Sequence, residues 1–266
     1  MGRWFGLSLV AAVMAAVVGA PGRAVAADSQ ACMGLVSQRD LPIQRVAVGP
    51  GEVGLTFVGH ATFLIETPGG ILAATDYNDY VRPSAIPDLV TMNHAHGTHF
   101  TNAPDPRIKH VLRGWNVPGV PARHDVTVGD LQVRNVPTSI RNWNGGTEHD
   151  GNSIFVFQAA GLCIAHLGHL HHTLNASHLK LLGHIDVLLV PVDGNYTLDM
   201  DGMLEVLRSI NAPLMIPMHY FGSSTLNRFL ARVQENWTVE RSPTASITLS
   251  RASLPPTPKV LVLPGN

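Results

Sequence analysis

Three histidines fall within six residues in the segment His94-Ala95-His96-Gly97-Thr98-His99. Neutral imidazole is a ligand for zinc, nickel, copper, iron and cobalt. On an extended or looped backbone, alternate residues bring His94 and His96 toward one ion. The chain holds 14 histidines. A lone one is ordinarily a surface or satisfied core residue, but three at this spacing, directly after the apolar stretch 89–92, point to a metal. Other polar groups follow apolar stretches in the same way: His166-Leu167-Gly168-His169 after 162–165, Asp193 after 187–190, and His219 at the end of 214–219.

Those groups need elements to position them. Residues 53–58 and 62–67 read as strands, and Pro68-Gly69-Gly70 supplies the turn before a third at 71–74. Short apolar strands over 89–92, 154–158, 162–165 and 187–190 each run into a polar tip, and loops at strand ends are where sites are built. Helical periodicity covers 199–210, where Met203, Leu204, Leu207 and Ile210 share a face and Asp199 or Asp201 caps the start. A second helix is expected over 224–234 and a last strand over 259–263. Antiparallel strands followed by strands alternating with helices predict an α/β layered domain with helices outside the sheets.

Composition narrows the function. The 266 residues are 45% hydrophobic and 14% charged with a net charge of −1, enough to bury one large core. No basic run supplies the footprint that nucleic acid requires. There is no Gly-x-Ser-x-Gly elbow, Walker-type loop or dinucleotide fingerprint. Arg3, an apolar run over 7–20 and Ala24-Val25-Ala26 read as a signal peptide spanning 1–26, with a mature periplasmic or secreted chain beginning at Ala27. Residues 27–50 then form an N-terminal extension and 51–266 the domain. An oxidising compartment would permit a disulfide between Cys32 and Cys163, although Cys163 lies in an apolar stretch that suits a buried thiol.

The histidine segment resembles the HxHxDH motif of the metallo-β-lactamase superfamily, with His94, His96 and His99 in the histidine positions. Gly59-His60-Ala61-Thr62-Phe63-Leu64-Ile65-Glu66 is similar to the opening strands of the branch that contains ascorbate-6-phosphate lactonase and the N-acyl-phosphatidylethanolamine phospholipase D. The family's third histidine matches His149 in Gly146-Thr147-Glu148-His149-Asp150-Gly151-Asn152, its Gly-Asp motif matches Gly168-His169, and its terminal histidine matches His219 in Ile216-Pro217-Met218-His219-Tyr220. The resemblance runs from about Val53 to Tyr220. It implies a four-layer αβ/βα sandwich and one or two Zn2+ ions, or other divalent transition metals, held by His94, His96, His99, His149, His169 and His219.

Two positions depart from the family pattern, Thr98 and His169, where the family carries its metal-binding aspartates. A three-histidine set of His94, His96 and His149 survives, with His99, His169 and His219 completing it or holding a weaker second ion. The resemblance implies a metal-bound hydroxide attacking an ester, lactone, amide or phosphodiester of a small molecule. Asp76 then orients a ligand histidine, Tyr220 or Tyr196 donates to a developing oxyanion, and His60 and His166 are structural. The alternative is a catalytically degenerate metal- or ligand-binding protein on the same scaffold.

Overall fold

β1 (Val53–Gly59) and β2 (Thr62–Glu66) pair antiparallel, and the Pro68-Gly69-Gly70 turn leads into β3 (Leu72–Ala74). The sense then changes: β4 (Leu89–Met92) runs parallel to β3, and β5 (His110–Arg113) parallel to β4, so the loops leaving β3 and β4 emerge at one edge. A second sheet starts as an antiparallel meander of β6 (Asp125–Val128), β7 (Leu131–Arg141), β8 (Thr147–Ala159) and β9 (Leu162–His166). β10 (Val187–Pro191) lies parallel to β9, and β11 (Leu214–Met218) parallel to β10. Finally β12 (Thr238–Arg241) and β14 (Lys259–Val262) extend the second sheet, while β13 (Ser246–Leu249) returns to pair with β1.

The result is a six-stranded sheet, β13-β1-β2-β3-β4-β5, facing an eight-stranded one, β12-β14-β11-β10-β9-β8-β7-β6. Between them lie Phe57, Phe63, Phe155, Phe157, Leu189 and Ile216, all buried, with the Phe57 and Phe63 rings stacked 4.8 Å apart. Burying each such side chain contributes roughly 1.5–3 kcal/mol. This computed structural model describes residues 1–2, 48–115, 120–142 and 144–265. The signal peptide expected over 1–26 lies, beyond its first two residues, outside the described residues; so do its cleavage motif, the extension up to residue 47, and Cys32. The chain divides into two units, Met1–Asp40 and Leu41–Asn266, the second of which carries every described strand and helix.

Three helices cover the outer face of the eight-stranded sheet. α1 (Ala176–Leu182) begins at a capping box in which Asn175 accepts from the His178 N–H. The predicted helix over 199–210 is α2 (Met200–Ile210), capped by Asp199, whose carboxylate accepts from Gly202 N at 3.0 Å. The one predicted over 224–234 is α3 (Ser223–Val233). Met203, Leu204 and Leu207 of α2 and Leu226, Phe229 and Val233 of α3 pack on Leu188, Val190, Met215 and Val260. The two facing sheets of the expected sandwich thus form, with one difference from four full layers. Among the described residues no helix covers the outer face of the six-stranded sheet. Tyr77, Val81, Phe100 and Ile108 from the long connections around β4 close over Val58, Leu64, Val90 and Met92 instead.

Candidate metal centre

Parallel pairing fixes the location of the site, because strands that run the same way release their C-terminal loops on one side. Asp76 follows β3, the 93–99 loop follows β4, His169 follows β9, Asp193 follows β10 and His219 follows β11. The β1–β2 turn adds His60, whose carbonyl accepts the His219 N–H at 2.7 Å and ties the two sheets together at the site. His60, Asp76 and His219 all have left-handed backbones, with φ of 51°, 42° and 54°. Such conformations cost a residue with a side chain and concentrate where a site is held in shape. Gly168 shares this region with φ 60°; a Cβ there would strike the Asn152 Oδ1 and come within 2.5 Å of Asn93 Nδ2, so only glycine lets the chain pass to His169.

Four histidines converge at this edge. The ligand atoms of His96, His99, His169 and His219 lie within 4.8 Å of one another. His96 Nε2 is 3.0 Å from His169 Nε2, and His99 Nε2 is 3.1 Å from His219 Nε2. A tetrahedral ion with Zn–N near 2.0–2.1 Å would set its nitrogens about 3.3–3.4 Å apart, so the group has the dimensions of one ion. Three of the rings are hydrogen-bonded through their other nitrogen. His99 Nδ1 contacts Asp76 Oδ2 at 2.6 Å, His96 Nδ1 contacts Thr98 Oγ1 at 2.8 Å, and His169 Nδ1 contacts His171 Nε2 at 2.5 Å. His219 Nδ1 lies 2.9 Å from Asp193 Oδ2, in ion-pair range but off the line of a good hydrogen bond. Nε2 toward the ion and Nδ1 toward a brace is the arrangement of a metal-ligating histidine.

A further ring of polar contacts holds the braces. Asn93 Nδ2 donates to Asp76 Oδ1 at 2.9 Å, while its Oδ1 accepts from Ser153 N at 2.8 Å. Asn152 Oδ1 accepts the His169 N–H at 2.8 Å. Asp193 Oδ1 accepts from Asn195 N and Tyr196 N, and its Oδ2 accepts the Thr197 hydroxyl at 2.6 Å. Burial alone would raise the pKa of Asp193. The contacts from His219, Thr197 and the loop amides outweigh it and hold the carboxyl well below the usual range. Asp76 is fully buried, and burial pushes its pKa up to about 6 against the pull of the surrounding histidines and Asn93. Burial, reinforced by the neighbouring imidazoles, lowers the pKa of His96, His99 and His169 and takes His60 down to about 3. The rings are therefore neutral near pH 7, the form that binds metal.

The ionised Asp76 accepts from His99 Nδ1–H, and the ionised Asp193 faces His219 Nδ1. The two rings turn their Nε2 atoms toward each other at 3.1 Å, so that one ion between them would take a lone pair from each.

Four of the six histidines expected as ligands, His96, His99, His169 and His219, come together, and two do not. His94 turns outward: its Nδ1 meets Glu148 Oε1 at 2.7 Å and its ring stacks on Trp115 at 5.2 Å. The physical reason is that the 93–99 loop is curled rather than extended, closed by Asn93 N to His99 O and His99 N to His96 O. The curl puts residues three apart, His96 and His99, on one side. His149 falls near the start of β8, in the stretch between Glu148 and Asn152 where the pairing with β7 shifts register and Asp150 has a φ of 56°, and it stays outside the four-histidine group. Among the described residues His96 is thus grouped with His99, His169 and His219 and not with His94 and His149.

Asp76 occupies the orienting position expected of it. Tyr220, expected beside the site, turns elsewhere: its hydroxyl reaches Leu263 O at 3.5 Å and its ring leans on Phe57. Tyr196 stands exposed against Phe221, whose ring is 5.5 Å from that of His219. His166 is structural, accepting from Gly168 N on Nδ1 and donating from Nε2 to Ala61 O at 2.8 Å. Cys163 is half-buried and carries no disulfide among the described residues; burial raises its pKa. Sequence reasoning missed two functional groups. Asp193 had a signal in its place after an apolar strand, and His60 had one in Gly59-His60, where its Nε2 meets Thr98 Oγ1 at 3.0 Å.

Comparison with known proteins agrees with this geometry. Residues 54–219 match the family described as the beta-lactamase superfamily domain. The chain is 30% identical over 184 residues, 62% of its own length and 83% of the relative's, to a Methanosphaerula palustris protein named UPF0173 metal-dependent hydrolase. A protein of the same name from Methanoculleus marisnigri is 27% identical over 212 residues, covering 73% of this chain and 92% of the relative. Among solved structures, a Thermotoga maritima protein described as a Zn-dependent hydrolase of the metallo-β-lactamase superfamily superposes with a TM-score of 0.60 and 30% identity. It spans 80% of this chain and 100% of its own. A metallo hydrolase from Ignicoccus hospitalis shares the fold at a TM-score of 0.52 and 20% identity, over 81% of this chain and 97% of its own. With sheet order, strand-end histidines and these relatives in agreement, the chain belongs to the metallo-β-lactamase superfamily, among its metal-dependent hydrolases.

Proposed function

We propose that the protein hydrolyses an ester, lactone, amide or phosphodiester of a small molecule, with one divalent ion, Zn2+ by preference, held by the histidine group. The observation that carries this reading is the convergence of His96, His99, His169 and His219, whose ligand atoms lie within 4.8 Å of one another, with the His99 and His219 Nε2 atoms 3.1 Å apart. An ion bound there supplies Lewis acidity toward water and toward the carbonyl or phosphoryl oxygen of the substrate. The protein's own residues do the rest. Asp76 holds His99 in the tautomer that leaves Nε2 bare, and Asp193 stands 2.9 Å from His219 Nδ1. His96 completes the donor set from the partly exposed side, and Phe221 and Tyr196 present apolar surface to a substrate entering there. The signal-like residues 1–26 support action in the periplasm or outside the cell, and the segment 59–66 supports a place near the lactonase and phospholipase D branch.

Thr98 and His169, standing where the resemblance puts aspartates, favour the second reading of a scaffold that binds without turnover. Elemental analysis of the purified protein, together with a panel of esters, lactones, amides and phosphodiesters, separates the two. Turnover that is lost on chelation and restored by Zn2+ supports the hydrolase. Bound zinc without turnover in the wild type, but with turnover in the Thr98→Asp/His169→Asp double variant, supports the binding protein.

A further inference from the structure

The protons on the chain of imidazoles leading into the site are ordered by a single backbone amide. The Arg141 N–H points at His171 Nδ1 at 2.7 Å, and the Arg141 Nε–H points at the same nitrogen at 3.3 Å. Both groups are obligatory donors, so His171 Nδ1 is a bare acceptor and the ring's one proton sits on Nε2. That proton faces His169 Nδ1, 2.5 Å away, which must accept it, leaving the proton of His169 on Nε2. Across 3.0 Å His169 Nε2–H then donates to His96 Nε2. His96 in turn donates from Nδ1 to Thr98 Oγ1 at 2.8 Å, and the Thr98 hydroxyl donates to His60 Nε2 at 3.0 Å. Every link satisfies one donor and one acceptor, and the reverse direction is closed because an amide N–H cannot accept.

We infer that His171 locks His169 in its Nε2–H tautomer, so that His169 is a hydrogen-bond donor inside the metal centre and the ion is held by His96, His99 and His219. This replaces the ligand role expected of His169 from the sequence, and it rests on the reading that the centre holds an ion. His96 accepts on Nε2 and so keeps a lone pair there, while His169 carries its proton on Nε2. A neutral imidazole has one proton to place, and His169 cannot both accept on Nδ1 and offer a lone pair on Nε2. Three histidine ligands leave a zinc ion its fourth position, the feature that separates catalytic from structural sites. Once His96 Nε2 turns to the ion, the His169 N–H is left without its acceptor and is free to donate to an oxygen of the substrate. His171 acts on this only through His169 and is a positioning residue.

Two measurements test the lock. In metal-free protein, long-range 15N–1H NMR of the imidazoles reads the tautomers directly: Nε2–H for both His169 and His171 is expected, and Nδ1–H for His169 overturns the inference. In zinc titrations against a chromophoric chelator, His169→Gln keeps stoichiometric Zn2+ with an affinity loss of about tenfold or less, the scale of an outer partner, while His99→Ala loses far more. His171→Gln, whose amide still donates to His169, binds like the wild type. His171→Phe frees His169 to ligate and tightens zinc binding by about tenfold. Loss of zinc in His169→Gln equal to that in His99→Ala, or weaker binding in His171→Phe, contradicts the assignment. A wild type that takes up no Zn2+ would instead remove the hydrolase reading, and the NMR tautomers would still decide the lock.

Discussion

The two halves of the histidine cluster are braced by different chemistry. His99 and His219 are fully buried and lean on carboxylates, Asp76 and Asp193, each fixed by its own set of amides and hydroxyls. His96 and His169 lean on neutral groups, the Thr98 hydroxyl and the His171 ring. A carboxylate fixes the tautomer by charge and raises the basicity of the ligand nitrogen. A neutral brace fixes it only through the order of donors along a chain. The first half is therefore built to grip a cation whatever its surroundings do, and the second to set where protons lie beside it. Thr98 and His169 bring no negative charge to the cluster, and the carboxylates near it, Asp76 and Asp193, stand behind His99 and His219.

Removing the carboxylate braces should have the larger effect. Asp76→Ala and Asp193→Ala are each expected to weaken zinc binding by about 10–100-fold, and Thr98→Val by clearly less, all read by chelator competition. Equal losses in the three variants would erase the distinction between the halves. Thermal unfolding of metal-free Asp76→Asn sharpens the same comparison. A buried carboxyl whose pKa is raised to about 6 from its ordinary 3.8 destabilises the fold once ionised. The asparagine variant should thus match or exceed the wild type in stability at pH 7, its advantage fading as pH falls through 6 toward 4. A variant less stable at pH 7 than at pH 4, relative to wild type, would contradict this.

A smaller effect concerns the neutral half. His60 and His171 have pKa values lowered by burial to about 3 and about 4. The unfolded chain therefore binds protons below pH 6.5 that the folded chain does not, and stability falls with pH from 6.5 toward those values. Each group contributes a slope of at most about 1.4 kcal/mol per pH unit. Urea unfolding of the metal-free protein between pH 7 and 5 should show that decline, less steep in His60→Asn. An unchanged slope would count against a buried, neutral His60.

Much of this arrangement is legible in the sequence. Apolar runs bounded by glycine, proline and polar tips locate the strands, and the periodicity of Met203, Leu204 and Leu207 behind an aspartate locates α2. The same strand-then-polar pattern marks Asp76, His169, Asp193 and His219 as groups at one edge once the strands are known to be parallel. What fails is the assumption of an extended backbone after β4. Alternation then pairs His94 with His96, whereas two backbone hydrogen bonds curl the loop and pair His96 with His99. His149 misleads for another reason: β7 reaches Arg141 and pairs with Thr147 and Glu148, which draws the segment into a hairpin whose register shifts just at 149–151. Asp193 reaches His219 from another loop, and the His171 ring that meets His169 is itself fixed by Arg141 from the β7 end, contacts that local pattern does not report.

Zinc stoichiometry across four alanine variants tests the central claim most directly. His99→Ala and His219→Ala should lose the bound ion. His94→Ala and His149→Ala should retain one Zn2+ per chain, since the first faces Glu148 and Trp115 and the second lies within β8. Loss of zinc in His94→Ala or His149→Ala, with retention in His99→Ala and His219→Ala, would contradict the account and return the metal to the set suggested by the sequence motif.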